Sequence, residues 1–219
     1  MQWDLDYWNS DDWKTVSERL DKLEKDNVII NPVRHRMFSA LEHVSLRNTR
    51  VCLIGQDPYP DPRFATGVAF SIPERYTASE YPQTLRQIFN EYCSDLYRKF
   101  PSKGNLSKWE QQGVLLWNAI PTCECGRSLS HDWPEYHNLT KEIVEKLSER
   151  GIVFGFLGGI SRRFIEYVNL ENNSIVVTSH PSPRGFANSK TPFKGSRFFS
   201  TLNDKLVEQG MESIEWTLE

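Results

Sequence analysis

The sequence predicts an α/β sandwich built on a mostly parallel sheet, and three observations carry that prediction. Four short apolar runs recur along the chain: "VCLI" (51–54), "VLLW" (114–117), "IVFGFL" (152–157) and "SIVVTS" (174–179). None alternates cleanly between apolar and polar residues, which is the pattern of strands covered on both faces. Around them lie segments whose apolar residues recur at three and four positions, as in helices that bury one stripe. The length of 219 residues suits one compact domain over residues 1–219.

Two helices are expected before the first strand, near 11–26 and 32–45. The segment 81–100 places Leu85, Ile88, Phe89 and Tyr92 on one stripe. The segment 134–150 does the same with Leu139, Ile143 and Leu147, opening on Pro134 and closing at Gly151. A last helix, from about 195 to 208, would turn Phe198, Phe199, Leu202 and Leu206 inward. Strands alternating with helices over this length give the α/β class.

Composition narrows the function classes. No apolar stretch approaches the roughly 18–20 residues of a membrane span, so no membrane partner is expected. The opening "MQWDLDYWNSDDWK" is acidic and aromatic, unlike a secretory signal. Four cysteines without a close framework suit a reducing cytoplasm or nucleus. The net charge is −3, yet its distribution is uneven. Residues 180–203 carry Arg184, Lys190, Lys194 and Arg197 and no acid, and residues 32–56 carry four arginines against Glu42 alone. A locally basic face of this kind is compatible with DNA binding.

In a parallel α/β sheet, ligands bind outside the carboxyl ends of the strands. The four runs are followed by "GQDPYP", "NAIPT", "GGISRR" and "HPSPRG". Three of these ends carry an isolated Asp57, Asn118 or His180 in a proline-rich setting. An aspartate there can hold a water or face a developing cation. An asparagine offers a donor and an acceptor to one edge of a base. A histidine, neutral or charged, can donate to a developing anion. No G-x-S-x-G elbow, G-x-G-x-x-G or Walker A lysine occurs, so serine hydrolase, dinucleotide and ATP chemistry are not expected. "CECGRSLSH" brings Cys123, Cys125 and His131 close, with His137 beyond, but C-x-C spacing fits zinc poorly and no metal is expected. Cys52 and Cys93 read as core thiols.

Five stretches then resemble one family: "GQDPYP" (55–60), "GVAFSIP" (67–73), "GVLLWNAIPT" (113–122), "HPSPRG" (180–185) and "GSRFFSTLN" (195–203). Their order and spacing, together with "IEW" (214–216), are similar to family 1 uracil-DNA glycosylases, over residues 50 to about 216. The resemblance implies a three-layer sandwich with a central four-stranded, mostly parallel sheet flanked by helices. It implies a monomer without cofactor or metal that removes uracil from single- or double-stranded DNA, in the cytoplasm or, in a eukaryotic or viral setting, the nucleus. It also allows a DNA-mimicking inhibitor protein as a partner.

By the same resemblance, Asp57 orients water and stabilises positive charge on the sugar, and His180 donates to O2 of the leaving uracil. Tyr59 stands against C5, Phe70 stacks on the ring, Asn118 pairs with N3 and O4, and Gln56 lines the pocket. Thr84 and Ser182 would contact phosphates, and Arg184, Lys190, Lys194 and Arg197 would meet DNA. The chain departs from the pattern at Pro60, where a histidine is frequent, at Gly159, where a serine is frequent, and at Arg184, where a leucine enters the duplex. Two other readings share these residues: a catalytically dead DNA-binding or processivity subunit, and a glycosylase with another base preference. Release of free uracil decides against the dead subunit, and a thymine control run beside it addresses base preference. A generic α/β hydrolase acting on a small nucleotide, a more distant reading, is separated by whether long DNA is needed for turnover.

Overall fold

The computed structural model describes residues 3–183, 187 and 189–218. Helix α1 (Asp11–Lys25) opens on Ser10, whose hydroxyl accepts from the Trp13 N–H and so satisfies one orphan donor of the first turn. Strand β1 (Ile30–Asn31) and helix α2 (Ser39–His43) lead into β2 (Val51–Gly55). Helices α3 (Gln83–Leu96) and α4 (Ser107–Glu110) precede β3 (Val114–Asn118) and the short β4 (Cys123–Glu124). Then come α5 (Pro134–Ser148), β5 (Val153–Leu157), α6 (Gly159–Arg162), β6 (Ser174–Thr178) and α7 (Phe198–Glu208).

The four expected runs form one sheet in the order β3-β2-β5-β6, with every pairing parallel. Its register sets Leu53, Leu116 and Gly155 on one face and Ile54, Trp117 and Phe156 on the other. Phe198 of α7 lies 3.0 Å from where a Gly155 Cβ would stand, so α7 covers the first face. The Trp117 indole N–H donates to Thr140 Oγ1 of α5 at 2.9 Å, so α5 covers the second. Helix α3 packs on α7 and α1 packs on α5, which completes the three layers. The expected stripes are all buried: Leu85, Ile88, Phe89 and Tyr92; Leu139, Ile143 and Leu147; Phe198, Phe199, Leu202 and Leu206.

Several expected boundaries change for identifiable reasons. The helix expected at 32–45 is instead a 3-10 turn at Arg34–Arg36 followed by five residues of α2. The Ala40 N–H donates to the Gly67 carbonyl, so tertiary pairing replaces a rung of the helical ladder. The 81–100 helix stops at Leu96 because Tyr97 turns left-handed, with φ 53°. The last helix begins at Phe198 rather than 195, since Arg197 is left-handed, also with φ 53°. There the buried Glu91 of α3 accepts from the N–H groups of Gly195 (2.6 Å) and Arg197 (2.8 Å). Cys52 is a core thiol, but Cys93 is only partly buried. The antiparallel pair β1–β4 has no counterpart in the sequence reading.

A buried polar chain closes the region after β4. Thr122 Oγ1 lies 2.8 Å from His131 Nδ1 and 2.8 Å from the Tyr136 hydroxyl, and the imidazole stacks on Trp133 at 4.2 Å. His131 Nε2 is buried with no hydrogen-bond partner among the described residues. Burial pushes the His131 pKa down from 6.5 to about 4; Glu124 pulls weakly upward and Arg127 downward. Between about 6.5 and about 4 the unfolded chain therefore binds a proton that the folded chain does not. Stability from this group falls as pH falls through that window. Denaturant midpoints measured from pH 7 to pH 4 should show this decline, and His131→Gln should make it shallower while lowering the midpoint at pH 7, the remaining slope including the share of His180, whose pKa burial also lowers to about 4. An unchanged slope in the variant would remove His131 as its source.

Candidate active site

Strand β2 ends at Gly55, and the turn that follows presents Asp57 between Gln56 and Pro58. Pro58 and Pro60 carry no N–H, so the turn is held largely through its carbonyls. Asn31 Nδ2 of β1 donates to Pro60 O at 2.8 Å, the Gly126 N–H donates to Pro60 O at 2.9 Å, and Cys123 Sγ lies 3.6 Å from Pro58 O. The small β1–β4 sheet thus braces the turn from outside the main sheet. The Gln56 carbonyl accepts from the Ile120 N–H at 2.9 Å and the Gly55 carbonyl from Ala119 at 3.2 Å, tying the turn to the end of β3.

The Asp57 carboxylate is held by three neighbours. Gln56 Nε2 donates to Oδ1 at 3.0 Å, Ser128 Oγ reaches Oδ2 at 2.7 Å, and the Leu129 N–H donates to Oδ2 at 2.6 Å. Opposite it, Asn118 is the last residue of β3, in register with Gly55. A Cβ on Gly55 would stand 2.8 Å from Phe70 Cζ and 2.9 Å from Asn118 Oδ1, so only glycine lets the ring and the amide share that corner. Phe70 is itself left-handed, with φ 67°, in a loop whose Ala69 N–H donates to Leu116 O at 3.0 Å. The Tyr59 hydroxyl donates to Phe70 O at 2.8 Å, which fixes the two rings relative to each other. Burial pushes the Tyr59 phenol pKa up, so it stays neutral.

His180 follows β6. Gly158 approaches it so closely that an added Cβ would meet His180 Cβ at 2.9 Å, and Gly158 carries φ 106°. The imidazole lies 6.4 Å from the Phe70 ring, tilted by 48°. Part of the residue opens to the cavity, yet the ring is enclosed enough that burial pushes its pKa down to about 4, against a weaker upward pull from Asp57. Burial therefore favours the uncharged imidazole at neutral pH.

These groups converge on one cavity of about 290 Å³. Gln56, Asp57, Tyr59, Phe70, Thr84, Asn118, His180 and Ser182 all line it, so eight of the residues expected from sequence are brought together. Lys190, Lys194 and Arg197 are exposed and do not line it. They lie on the return to α7, pinned where the Ser179 N–H donates to Thr191 O and the Phe193 N–H to Ser179 Oγ. Arg184 lies outside the described residues. Ser128 and Leu129 carry no signal in the sequence, where "GRSLS" lies only within a poor zinc pattern. Among the described residues no group of three or more His, Cys, Asp or Glu side chains is placed to hold a metal ion.

Comparison with known proteins agrees with this architecture. The model of the "Uracil DNA glycosylase superfamily" matches residues 42–207. The uracil-DNA glycosylase of Acinetobacter baylyi is 33% identical over 213 residues, covering 93% of this chain and 88% of the relative. The crystal structure of mimivirus uracil-DNA glycosylase superposes with a TM-score of 0.83 at 22% identity, covering 99% of this chain and 88% of that one. A variant of the mimivirus protein, solved in complex with UGI, gives 0.83 at 21% identity, covering 99% and 90%. The fold and site define a DNA glycosylase-like α/β protein. The chain belongs to the uracil-DNA glycosylase superfamily, and within it to family 1.

The close approach at Gly55 is open to test. Gly55→Ala should cost about 1–3 kcal/mol in denaturant unfolding, as overpacking of a well-filled site does, and lower turnover by displacing Phe70 or Asn118. Gly159→Ala, whose Cβ would meet nothing within 4 Å, is the stability control. Equal midpoints for the two variants would contradict the crowding at Gly55.

Proposed function

We propose that this cavity receives uracil flipped from DNA and that Asp57 and His180 drive hydrolysis of its N-glycosidic bond, leaving an abasic site. The observation that carries the proposal is the convergence of one carboxylate, one neutral imidazole, one amide and one aromatic face on a cavity of about 290 Å³, with room for a flipped base. A base must leave the stack to reach such a pocket, and the Phe70 face replaces the lost stacking.

As the C1′–N1 bond breaks, its electron pair leaves with the base and the sugar becomes oxocarbenium-like. Such a cation is stabilised by a nearby carboxylate, the role assigned to Asp57, which also orients the water that adds to C1′. The departing uracil carries negative charge on its oxygens, and the neutral His180 donates a hydrogen bond to O2 without having to give up its proton. The water surrenders one proton, and the uracil anion recovers one on release. Asn118 matches the N3 and O4 edge, and cytosine presents the opposite donor pattern there. Tyr59, held by its bond to Phe70 O, excludes the C5 methyl of thymine sterically.

Thr84 and Ser182 sit at the cavity's lining, positioned to meet the phosphates beside the flipped nucleotide. The exposed Lys190, Lys194 and Arg197 supply the electrostatic share of binding to single- or double-stranded DNA. The mimivirus relative bound to UGI favours a DNA-mimicking inhibitor as a further partner. The four free cysteines favour a reducing compartment such as the cytoplasm or nucleus.

The wild-type protein should release free uracil from a uracil-containing oligonucleotide in the presence of chelator. Asp57→Asn should still bind that DNA but lose activity by about 10²–10⁴-fold, the scale of such electrostatic groups. Tyr59→Ala should begin to release thymine. No uracil from the wild type would overturn the proposal, and single-turnover rates for Asp57→Asn within threefold of wild type would move the acid's role elsewhere.

A further inference from the structure

We infer that Ser128, with the backbone of Leu129, is the positioning residue that sets the Asp57 carboxylate for attack, an inference that rests on the glycosidase reading above. Asp57 is followed in its turn by Pro58 and Pro60, which carry no N–H to donate to it. Its side chain has two free torsions, and the hydrogen bonds that fix them come mainly from a segment more than seventy residues away. Ser128 Oγ lies 3.0 Å from Oδ1 and 2.7 Å from Oδ2, and Gln56 Nε2 lies 3.3 Å from the same hydroxyl oxygen. Because that oxygen accepts from Gln56, the single Ser128 hydroxyl proton is directed at Asp57. Gln56 donates to Asp57 Oδ1 as well, at 3.0 Å, so Gln56, Asp57 and Ser128 form a closed triangle.

The backbone gives a second, independent sign. Leu129 carries φ 63°, a left-handed conformation that strains a leucine. That conformation goes with an N–H aimed at Asp57 Oδ2 at 2.6 Å. Strain of this kind persists where the surroundings over-determine it, and functional sites are where it clusters. The segment is tied down on both sides: the Gly126 N–H donates to Pro60 O, and Ser130 Oγ accepts from the Glu124 N–H at 2.7 Å. Ser128 also lines the cavity, so its hydroxyl stands beside the space where base and sugar enter.

A carboxylate offers about four acceptor sites. With Gln56, Ser128 and Leu129 occupying acceptor positions on both oxygens, the carboxylate is held while acceptor capacity is left for a water on the cavity side. Ser128 does not touch the reacting atoms and acts through Asp57. Its loss should therefore change turnover while leaving substrate affinity alone, since Asp57 keeps its charge but loses its fixed rotamer.

The test is a double-mutant cycle read by single-turnover uracil release, with KM measured alongside. Ser128→Ala should lower kcat by about tenfold, as a modest misplacement of a reacting group does, with KM within twofold of wild type. Ser128→Thr, which keeps the hydroxyl, should recover most of the rate. In an Asp57→Asn background, Ser128→Ala should have almost no further effect, because the group it positions is gone. The thermal midpoint of Ser128→Ala, an exposed site, guards against a folding defect, and Ser128→Thr carries the test if that midpoint collapses. A kcat within twofold of wild type for Ser128→Ala would overturn the inference, as would the same fractional loss in both backgrounds or a change confined to KM. Wild-type uracil release, measured in the same series, separates that outcome from failure of the glycosidase reading itself.

Discussion

The placement of one carboxylate governs this structure. Asp57 stands at the carboxyl end of β2, an inner strand of the sheet, where the chain must turn away and where two prolines deprive the turn of donors. A free aspartate there would sample several rotamers and would be hydrated. Instead the turn's carbonyls are bound by Asn31 and Gly126, with the Cys123 thiol against Pro58 O, and its carboxylate by Gln56, Ser128 and Leu129. The β1–β4 pair exists at this one place, and its two-residue strands serve as a brace. Prolines make the turn stiff; the brace gives the stiff turn a fixed orientation.

Around that acid the cavity is made by close approach. Phe70 and Asn118 meet over Gly55, and His180 packs against Gly158, so the walls are set by backbone geometry as much as by side chains. Left-handed Phe70 and Leu129 add strain at the same site. Such strain is sustained by a core that includes Trp109, Trp117 and Trp216, each fully buried. The Trp109 indole N–H donates to Trp216 O at 2.9 Å, and Asn203 bonds both the N–H and the carbonyl of Ile214, so the C-terminal segment is locked onto α4 and α7. A rigid frame of this kind lets a small site discriminate bases by shape. It also leaves His180 desolvated enough to stay neutral, the protonation state suited to stabilising an anion without donating charge.

The sheet and the three polar residues of the site were legible in the sequence because each rests on a contiguous signal. An unbroken apolar run such as "VCLI" marks a strand, and the residues after it must lie at the carboxyl edge. Asp57, Asn118 and His180 follow from that rule alone, and the family resemblance added Tyr59 and Phe70. The brace was not legible. Two-residue strands have no periodicity, and nothing in "GRSLS" marks Leu129 as left-handed or Ser128 as facing an acid seventy-one residues earlier. Nothing in the sequence distinguishes Glu91 from other helical acids, although it is buried and holds the start of α7. The expected 32–45 helix failed for the same reason: the Gly67 carbonyl, distant in sequence, competes for the Ala40 N–H. Cys123 and His131, weighed as metal ligands, serve the turn and the buried polar chain instead.

The central claim is that a single base is held by these walls with its sugar presented to Asp57. The direct measurement is a crystal structure of Asp57→Asn bound to a uracil-containing oligonucleotide. The account predicts uracil inside the cavity, stacked on Phe70, its N3 and O4 edge on Asn118, C5 against Tyr59, O2 within hydrogen-bond reach of His180, and C1′ facing residue 57. Uracil left in the strand outside the cavity, or seated with its C1′ away from residue 57, would contradict it.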